Sequence, residues 1–509
     1  MSEVKSGAIL AYLNVAASNI IALIYTPIVV RVLGQGDYGV YKMCDSVVAS
    51  LSLLSFGFGT AYVRFYSRLK VTDDDRGIAN LNGMYLVLFV FLGLLSWLCG
   101  WILTVYSPEL FGANLTLDEI SLAQTLMLIM TANIGLTFPS SVFSSYILVH
   151  ERFRWTYSLS LVLKFLGPIS GTVLLLLGYG AIGASLATLA TTVILLGCNV
   201  IYAKMKLKMG FSFFSFRFSQ LREIAVFSFW IFVSQMFNVL TDNASSFILA
   251  ARSGAIEVAV FAVAFQMRQP FFALSTALSG VFTPRVNALV ANEESNDKLL
   301  DLMSHIGRYQ LILHLLLLGG FAVVGKYFIR LWVGPGYENA YWLTLLMAAS
   351  VTVPLAQNTG IQIQQAKNMH QFRSLIYLLS AIIGAVLCWI LAPQFGATAG
   401  AFGYALTMVT GTWFAMNWYY HYRVKLDMSY FWRQMGPIVI AIGLCTAAAL
   451  VITLTIYPII STIRLILVIC VFVTITVLTL WFFVLSASEK QELSSMLPSS
   501  KKRNMDDGN

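Results

Sequence analysis

Charge is what this sequence has least of. Of its 509 residues only 11% are Asp, Glu, Lys or Arg, whereas soluble globular chains carry about 25%, so an ordinary water-facing surface cannot be covered. A soluble body on a single anchor is also excluded, because apolar stretches of span length follow one another with connections mostly shorter than about 15 residues. Histidine is scarce. His150, His305, His370 and His421 fall at the ends of apolar stretches and His314 lies inside one, where a packed or hydrogen-bonded ring is expected; no metal or catalytic set follows. The six cysteines, Cys44, Cys99, Cys198, Cys388, Cys445 and Cys470, stand singly in or beside apolar runs, without metal-type spacing, and read as small core residues. No Gly-x4-Gly-Lys-Ser/Thr loop occurs, so no built-in nucleotide hydrolysis is expected, and no cofactor is implied.

What is present is hydrocarbon. Hydrophobic residues make up 58% of the chain and the mean hydropathy is +0.77, which places it in a membrane. A span-length reading predicts an all-α polytopic protein of about fourteen transmembrane helices, at 8–30, 43–66, 82–106, 121–149, 157–177, 181–203, 224–250, 257–284, 305–331, 339–366, 372–392, 397–421, 435–457 and 462–485. The first apolar run follows Lys5 and continues to Val30, too long for a cleaved signal segment, so it is read as a retained span. The net charge of +9 is read by loop position and not as a nucleic-acid surface. With the N-terminus cytoplasmic, 24 of the 32 Lys and Arg fall on inner segments and 6 on outer ones, while Lys164 and Arg268 lie within spans. Both termini are therefore expected in the cytoplasm.

The chain also repeats itself. Arg31-Val32-Leu33-Gly34 followed by Asp37-Tyr38-Gly39-Val40-Tyr41 has a counterpart in Arg252-Ser253-Gly254 followed by Glu257-Val258-Ala259-Val260-Phe261. Gly59 to Arg64 matches Gly280 to Arg285, Pro139 matches Pro354, and the His150 to Arg154 segment matches His370 to Arg373. Gly180-Ala181-Ile182-Gly183-Ala184 matches the run from Gly396 to Ala401. Six spans separate the copies, an even number, so the halves share one orientation and form a parallel pseudo-two-fold repeat. The expected organisation is an N-lobe at 1–208, an interfacial linker at 209–223, a C-lobe at 224–425, a C-terminal helix pair at 426–485 and a cytoplasmic tail at 486–509. The aromatic and basic run from Gly210 to Phe218 reads as an interfacial anchor or a hydrophobic loop, and the tail is expected to be disordered at its end.

The stretch Tyr25-Thr26-Pro27 to Tyr41, with its Val-Leu-Gly-Gln-Gly-Asp-Tyr-Gly-Val-Tyr core, and the Gly-Ala-x-Gly-Ala opening of the sixth span resemble the polysaccharide-biosynthesis flippases. These belong to the multidrug, oligosaccharidyl-lipid and polysaccharide exporter superfamily. The resemblance covers spans one to twelve, and the last two spans are similar to the extra pair of many members. It implies a flippase that moves an undecaprenyl-diphosphate-linked oligosaccharide across a bacterial inner membrane for O-antigen, capsule or exopolysaccharide assembly. The implied partners are that lipid-linked oligosaccharide, membrane lipids, and a glycan polymerase and glycosyltransferases of the same pathway. Alternatives are a lipid II flippase or a cation-coupled multidrug exporter of the superfamily. A membrane glycan polymerase or ligase fits less well, because the longest outer connection, at about 105–120, is short.

Four ionisable residues sit within or just inside spans: Asp45, Lys164, Asp242 and Arg268. Each costs roughly 2.5 to 3.5 kcal/mol at mid-membrane and needs a partner or a wet cavity. Arg268, flanked by Gln266, Gln269 and Pro270, reads as a bidentate cationic site for the lipid diphosphate, as an ion pair with Asp242, or as both. Gln235, Asn238, Asp242 and Ser245 recur every three or four residues and mark a polar face on the seventh span; Asn14, Ser18 and Tyr25 mark one on the first. The readings are a hydrated cavity or helix-to-helix hydrogen bonds. Lys164 joins the substrate site or snorkels to the headgroups. Gln357, Asn358, Gln362 and Gln365 form an uncharged strip suited to sugar hydroxyls, or a wet helix face. Asp242 and Asp45 are the candidates for proton or sodium coupling. Pro139 and Pro354 mark kinks, as bending points or static bends.

Overall fold

The computed structural model describes residues 3–55, 58–213, 218–292, 294–367, 369 and 371–496. Among them every regular element is helical and no strand occurs. In the first half the helices are α1 Glu3–Ser50, α2 Phe58–Val71, α3 Asp75–Val105, α4 Leu117–Val149, α5 Phe153–Leu174 and α6 Gly180–Ile201. There follow α7 Phe218–Arg252, α8 Ala255–Met267, α9 Gln269–Ala291, α10 Asn296–Trp332, α11 Asn339–Ser350 and α12 Asn358–Ala366. The last are α13 Gln371–Phe395, α14 Ala397–Met408, α15 Met428–Val451, α16 Thr462–Thr479 and α17 Ala487–Met496.

Among the described residues, eight helical stretches are long and apolar enough to cross a membrane. Two of them, Leu13–Ser55 and Phe153–Lys206, run on past a positive-φ glycine, Gly34 and Gly178, at which the backbone turns. The expected eighth span is broken at Arg268 into α8 and α9. The expected tenth is broken at Val351 and Gln357 into α11, the short Thr352–Ala356 and α12. Helix starts are set by capping side chains. Asp74 accepts from the Gly77 amide at 2.8 Å, and Thr116 with Glu119 forms a reciprocal capping box.

The repeat recurs in the backbone angles. Gly34 and Gly254 take φ/ψ of 76/178° and 96/175° between consecutive helices. Gly180 and Gly396 take 56/−145° and 51/−134° where α6 and α14 begin. Such angles are open to glycine and strained for other residues, which is why the repeat keeps glycine there.

Prolines inside helices leave a carbonyl four residues earlier without its N–H, and in hydrocarbon no water replaces it. Two tryptophans do so here. Pro27 frees the Leu23 carbonyl, which accepts from Trp332 Nε1 at 2.7 Å; Pro354 frees that of Ser350, which accepts from Trp413 Nε1 at 2.8 Å. Pro139 lies inside the continuous α4 and frees the Gly135 carbonyl. There α3 comes so close that a Cβ at Gly93 would lie 2.5 Å from that oxygen.

The helices gather into two compact units. One comprises Met1–Arg268, Trp332–Met347 and Gln371–Gly411; the other comprises Gln269–Leu331, Ala348–His370 and Thr412–Asn509. The first unit draws on both halves of the repeat. Within it α1 packs against α7 and α8, Gln35 Nε2 donates to the Gly336 carbonyl at 2.7 Å, and Asn114 Nδ2 donates to that of Ala251 at 2.7 Å. Its aromatic core includes Phe58, Tyr62, Tyr85, Phe89, Phe143 and Tyr146. The linker begins against this core and not as a free loop: Asn82 Nδ2 donates to the Gly210 carbonyl at 2.9 Å and Ser212 N to that of Ala79 at 2.9 Å. Residues 214–217, the rest of the expected aromatic run, lie outside the described residues.

In the second unit α15 and α16 pack together and onto α10 through Val323, Val324, Val468 and Phe472. Part of the expected tail folds as α17 and docks here. The Arg308 guanidinium, which the sequence marks only as an inner charge, donates to both oxygens of Glu489 at 2.6 and 3.1 Å and to the carbonyls of Gln434 and Val484. Residues 497–509 and His370 lie outside the described residues.

Burial raises the Glu489 carboxyl, but the hydrogen bonds from Arg308 and Ser486 outweigh it and hold the group below its ordinary value. The docked form therefore binds this proton less readily than the undocked one. Its contribution is present above the ordinary carboxylate pKa and lost as pH falls through the lowered folded value. Removing one partner of a buried pair costs roughly 3–5 kcal/mol. Hydrogen exchange in residues 487–496, corrected for intrinsic rate, should thus be slow at neutral pH and speed up on acidification. Glu489→Ala should make it fast at both.

Candidate functional site

The main charged site lies in the first unit, where α8 ends. Pro270 supplies no N–H, and the helix closes at Arg268, whose own amide bonds back to the Phe265 carbonyl at 3.2 Å. The break leaves the Arg268 side chain only 6% exposed. Its Nη2 lies 3.1 Å from Asp242 Oδ1 on α7, and Nη1 donates to the Tyr404 hydroxyl on α14. The guanidinium carbon stands 4.0 Å from the centroid of the Phe265 ring and 4.8 Å from that of Tyr404. Aromatic faces stabilise a desolvated cation by about 2 kcal/mol, which offsets part of the several kcal/mol lost with its water.

The predicted ion pair is therefore formed, and it is asymmetric. Asp242 keeps 45% of its side chain exposed while Arg268 is sealed behind it. Any anion reaching the guanidinium must share or displace that carboxylate. Ser245, one turn further along the α7 face, is buried; Gln235 is half-buried and Asn238 exposed, so the predicted polar face opens in the direction of Asn238.

A second cation sits apart from the first. On α5, Lys164 Nζ donates to Ser18 Oγ at 2.7 Å and to the Asn14 carbonyl at 3.2 Å. It thereby lies on the polar face of α1 that the sequence marked. Asn14 is buried and its Nδ2 donates to the carbonyls of Leu10 and Tyr157. Gln266 also turns to α1, donating to Thr26 Oγ1 at 2.6 Å. Asp45 is exposed and pairs with Lys42 at 3.3 Å, one turn away on the same helix.

In the second unit three amides of the expected tenth span donate within the protein. Gln357 Nε2 donates to Asn417 Oδ1 at 2.8 Å, which also accepts from Trp432 Nε1 at 2.7 Å. Asn358 Nδ2 donates to Ser279 Oγ at 2.8 Å, and Gln362 Nε2 to the Ser279 carbonyl at 3.1 Å. Among the described residues no cluster of three or more His, Cys, Asp or Glu could hold a metal ion. Phe265 and Tyr404 are the partners that sequence reasoning missed. The one available signal was Tyr404, the only aromatic hydroxyl in the Gly- and Ala-rich α14.

Residues 4–289 match the family model described as polysaccharide biosynthesis protein. The chain belongs to the polysaccharide biosynthesis protein family. This family member shares its fold with two solved structures. It is similar to a structure described as the lipid II flippase MurJ in an inward closed conformation, at 17% identity and a TM-score of 0.69, covering 92% of this chain and 98% of that one. It is also similar to an inward-facing multidrug resistance MATE family transporter of the MOP superfamily, at 15% identity and a TM-score of 0.66, covering 82% and 98%. No curated protein sequence matches it.

The family member's guanidinium site has a graded dependence on Tyr404. Tyr404→Phe removes the hydroxyl acceptor but keeps the ring, and should lower unfolding stability by roughly 1.5–3 kcal/mol, the usual range for hydrogen bonds to charge. Tyr404→Leu removes the ring as well and should cost about 1 kcal/mol more. Denaturant unfolding of the purified protein in detergent should resolve the order.

Proposed function

We propose that this protein is a flippase that carries an undecaprenyl-diphosphate-linked oligosaccharide, an O-antigen, capsule or exopolysaccharide repeat unit, across the bacterial inner membrane. Family membership supports the polysaccharide pathway, and fourteen spans in two six-helix lobes, with a C-terminal pair and cytoplasmic termini, is the topology that fits it. The loop distribution of Lys and Arg supports that orientation. The observation that carries the substrate reading is the sealed Arg268 guanidinium behind a half-exposed Asp242.

A diphosphate offers oxygens in the planar, paired arrangement that guanidinium matches, and it carries the charge needed to take over from Asp242. In the reading we favour, the diphosphate enters from the inner leaflet and engages Arg268. Lys164 holds a second phosphate oxygen or the first sugar, and Asn14, Gln235 and Asn238 meet sugar hydroxyls. Gln266, Gln357, Asn358 and Gln362 become available only when their present bonds open, so they serve the change of state. Asp242, released from its arginine, takes up a proton or sodium ion. Asp45, held by Lys42 at an exposed position, is the weaker coupling candidate. Pro139 and Pro354 are the bending points of the rocking motion.

With the termini inside, the Gln35 and Asn114 bonds of the first unit fall on the outer side. Lipid II is the second reading, because it presents the same diphosphate and lipid and because the MurJ structure shares the fold along 92% of this chain. A multidrug exporter is disfavoured by the two cations, Arg268 and Lys164, at the polar faces.

The test is surface-glycan export in cells that lack the native gene. Arg268→Ala at normal protein level should lower export by more than about 10-fold, the effect of losing at least 1.4 kcal/mol of binding. Arg268→Lys should restore only part of it. Full export by Arg268→Ala would overturn the reading.

A further inference from the structure

The second unit holds a buried polar seam that the diphosphate site does not use. It runs between α10 and residues 352–366, which meet in antiparallel order at three points. Lys367 Nζ meets Asn296 Oδ1 at 2.6 Å at one end. A Cβ at Gly307 would lie 2.7 Å from the Ala356 carbonyl midway, and His314 Nε2 lies 3.0 Å from Thr352 Oγ1 at the far end. Between these points the seam carries Ser304, Gln310, Thr359 and Gln364, all buried. The hydroxyls of Ser304 and Thr359 and both polar atoms of the Gln364 amide find no partner in the protein.

A buried polar group left unmet costs about 1–3 kcal/mol, and four such atoms along one seam are too many for a helix contact that could have been apolar. Internal water, which makes two to four bonds at such places, resolves the cost. A way in exists. A cavity of about 400 Å³ opens at the Ser304 end, lined by Ser304, His305, Arg308, Gln434, Ser488 and Glu489.

At the closed end His314 is 2% exposed, with Phe271 stacked edge-on at 5.4 Å. The carbonyl of Ala348 is the near backbone group, but Nδ1 makes no hydrogen bond and finds no partner in the protein. Residues 348–366 carry no charge. Of the neighbouring helices, α9 brings only Arg285 and α15 only Arg433 as charges, both exposed; on α16, Arg464 is turned to Pro458 and Tyr457. On α10 itself Asp297, Lys298, Asp301, Lys326 and Arg330 are exposed, and Arg308 and His305 are held by Glu489 and Glu492. The ring thus faces hydroxyl, carbonyl and hydrocarbon, with no fixed charge to hold or exclude a proton.

We propose that the seam between α10 and residues 352–366 is a water file that carries protons from the cytoplasmic cavity to His314, which is the proton site of the transport cycle. The proposal rests on the transporter reading and differs from it in placing the coupling proton away from Asp242. A hydronium in the file gives its proton to the neutral ring and is left as water. The imidazolium then donates to Thr352 Oγ1 and to the Ala348 carbonyl. Charge created beside Phe271 favours a state in which this contact is wetter, and that difference couples proton to motion.

Two measurements on the full chain decide it. The first is deuterium exchange at the imidazole C2 position of the wild type in nanodiscs. His314 should exchange within about 10-fold of the accessible His305 and His421, and Gln364→Leu should slow it at least about 10-fold. Exchange more than about 100-fold slower in the wild type would overturn the water file. The second uses proteoliposomes with an undecaprenyl-diphosphate-linked disaccharide and an imposed pH gradient. His314→Gln should keep gradient-free flipping within about two-fold and lose the stimulation that the wild type shows. Retained stimulation, or none in a wild type that flips, would overturn the proton site. A wild type that moves none of this lipid would instead sink the flippase reading, and the exchange result would still decide the seam.

Discussion

A polar group that this protein buries away from water is costly unless something meets it. In hydrocarbon an unmet carbonyl or cation costs several kcal/mol, and that constraint governs where the helices break and what stands beside each break. Pro27 and Pro354 each free a carbonyl, and an indole from another helix takes it. Pro270 ends α8, and the residue that stands at that ending is the buried Arg268. Its charge is held by one carboxylate, one hydroxyl and two aromatic faces, all within the first unit. The site is a helix break that holds a buried cation beside a half-exposed counter-charge.

The same logic separates the candidate residues into two groups. Arg268 with Asp242, and Lys164 with Ser18, keep donors on or near exposed faces, where a ligand competes with bonds that are already charge-assisted or polar. Gln357, Asn358 and Gln362 are bound into the second unit by neutral amide and hydroxyl partners. An anionic lipid headgroup gains by replacing a carboxylate on arginine, whereas a sugar gains little by replacing an amide on asparagine. That difference in exchange is why the charged pair, and not the amide strip, anchors the functional account.

Much of this was legible in the sequence because the signals are strong and local. Hydrocarbon runs mark helices. The repeat marked Gly34 with Gly254 and Gly180 with Gly396, whose backbone angles then agree in pairs. Spacing put Asp242 on a polar face, and rarity singled out Arg268. What the sequence did not disclose is set by tertiary contact. Tyr404 lies 136 residues from Arg268, and its one local signal, a lone aromatic hydroxyl in a Gly- and Ala-rich helix, does not name its partner. Arg308 looks like any inner-side charge until Glu489 closes on it from 181 residues away. The Gln35 and Trp332 bonds depend on backbone carbonyls, which carry no side-chain signature. Element boundaries moved for a related reason: hydropathy cannot see that one helix bends at Gly34 or that another stops at Arg268.

The central claim is that Arg268 recognises a lipid-linked diphosphate. The most direct measurement is the affinity of the purified protein for undecaprenyl diphosphate and for undecaprenyl monophosphate, wild type against Arg268→Gln, by native mass spectrometry in matched detergent. The account predicts that the wild type prefers the diphosphate by about 10-fold or more, and that Arg268→Gln loses that preference while monophosphate binding changes little. Equal diphosphate affinity in the wild type and Arg268→Gln would contradict it.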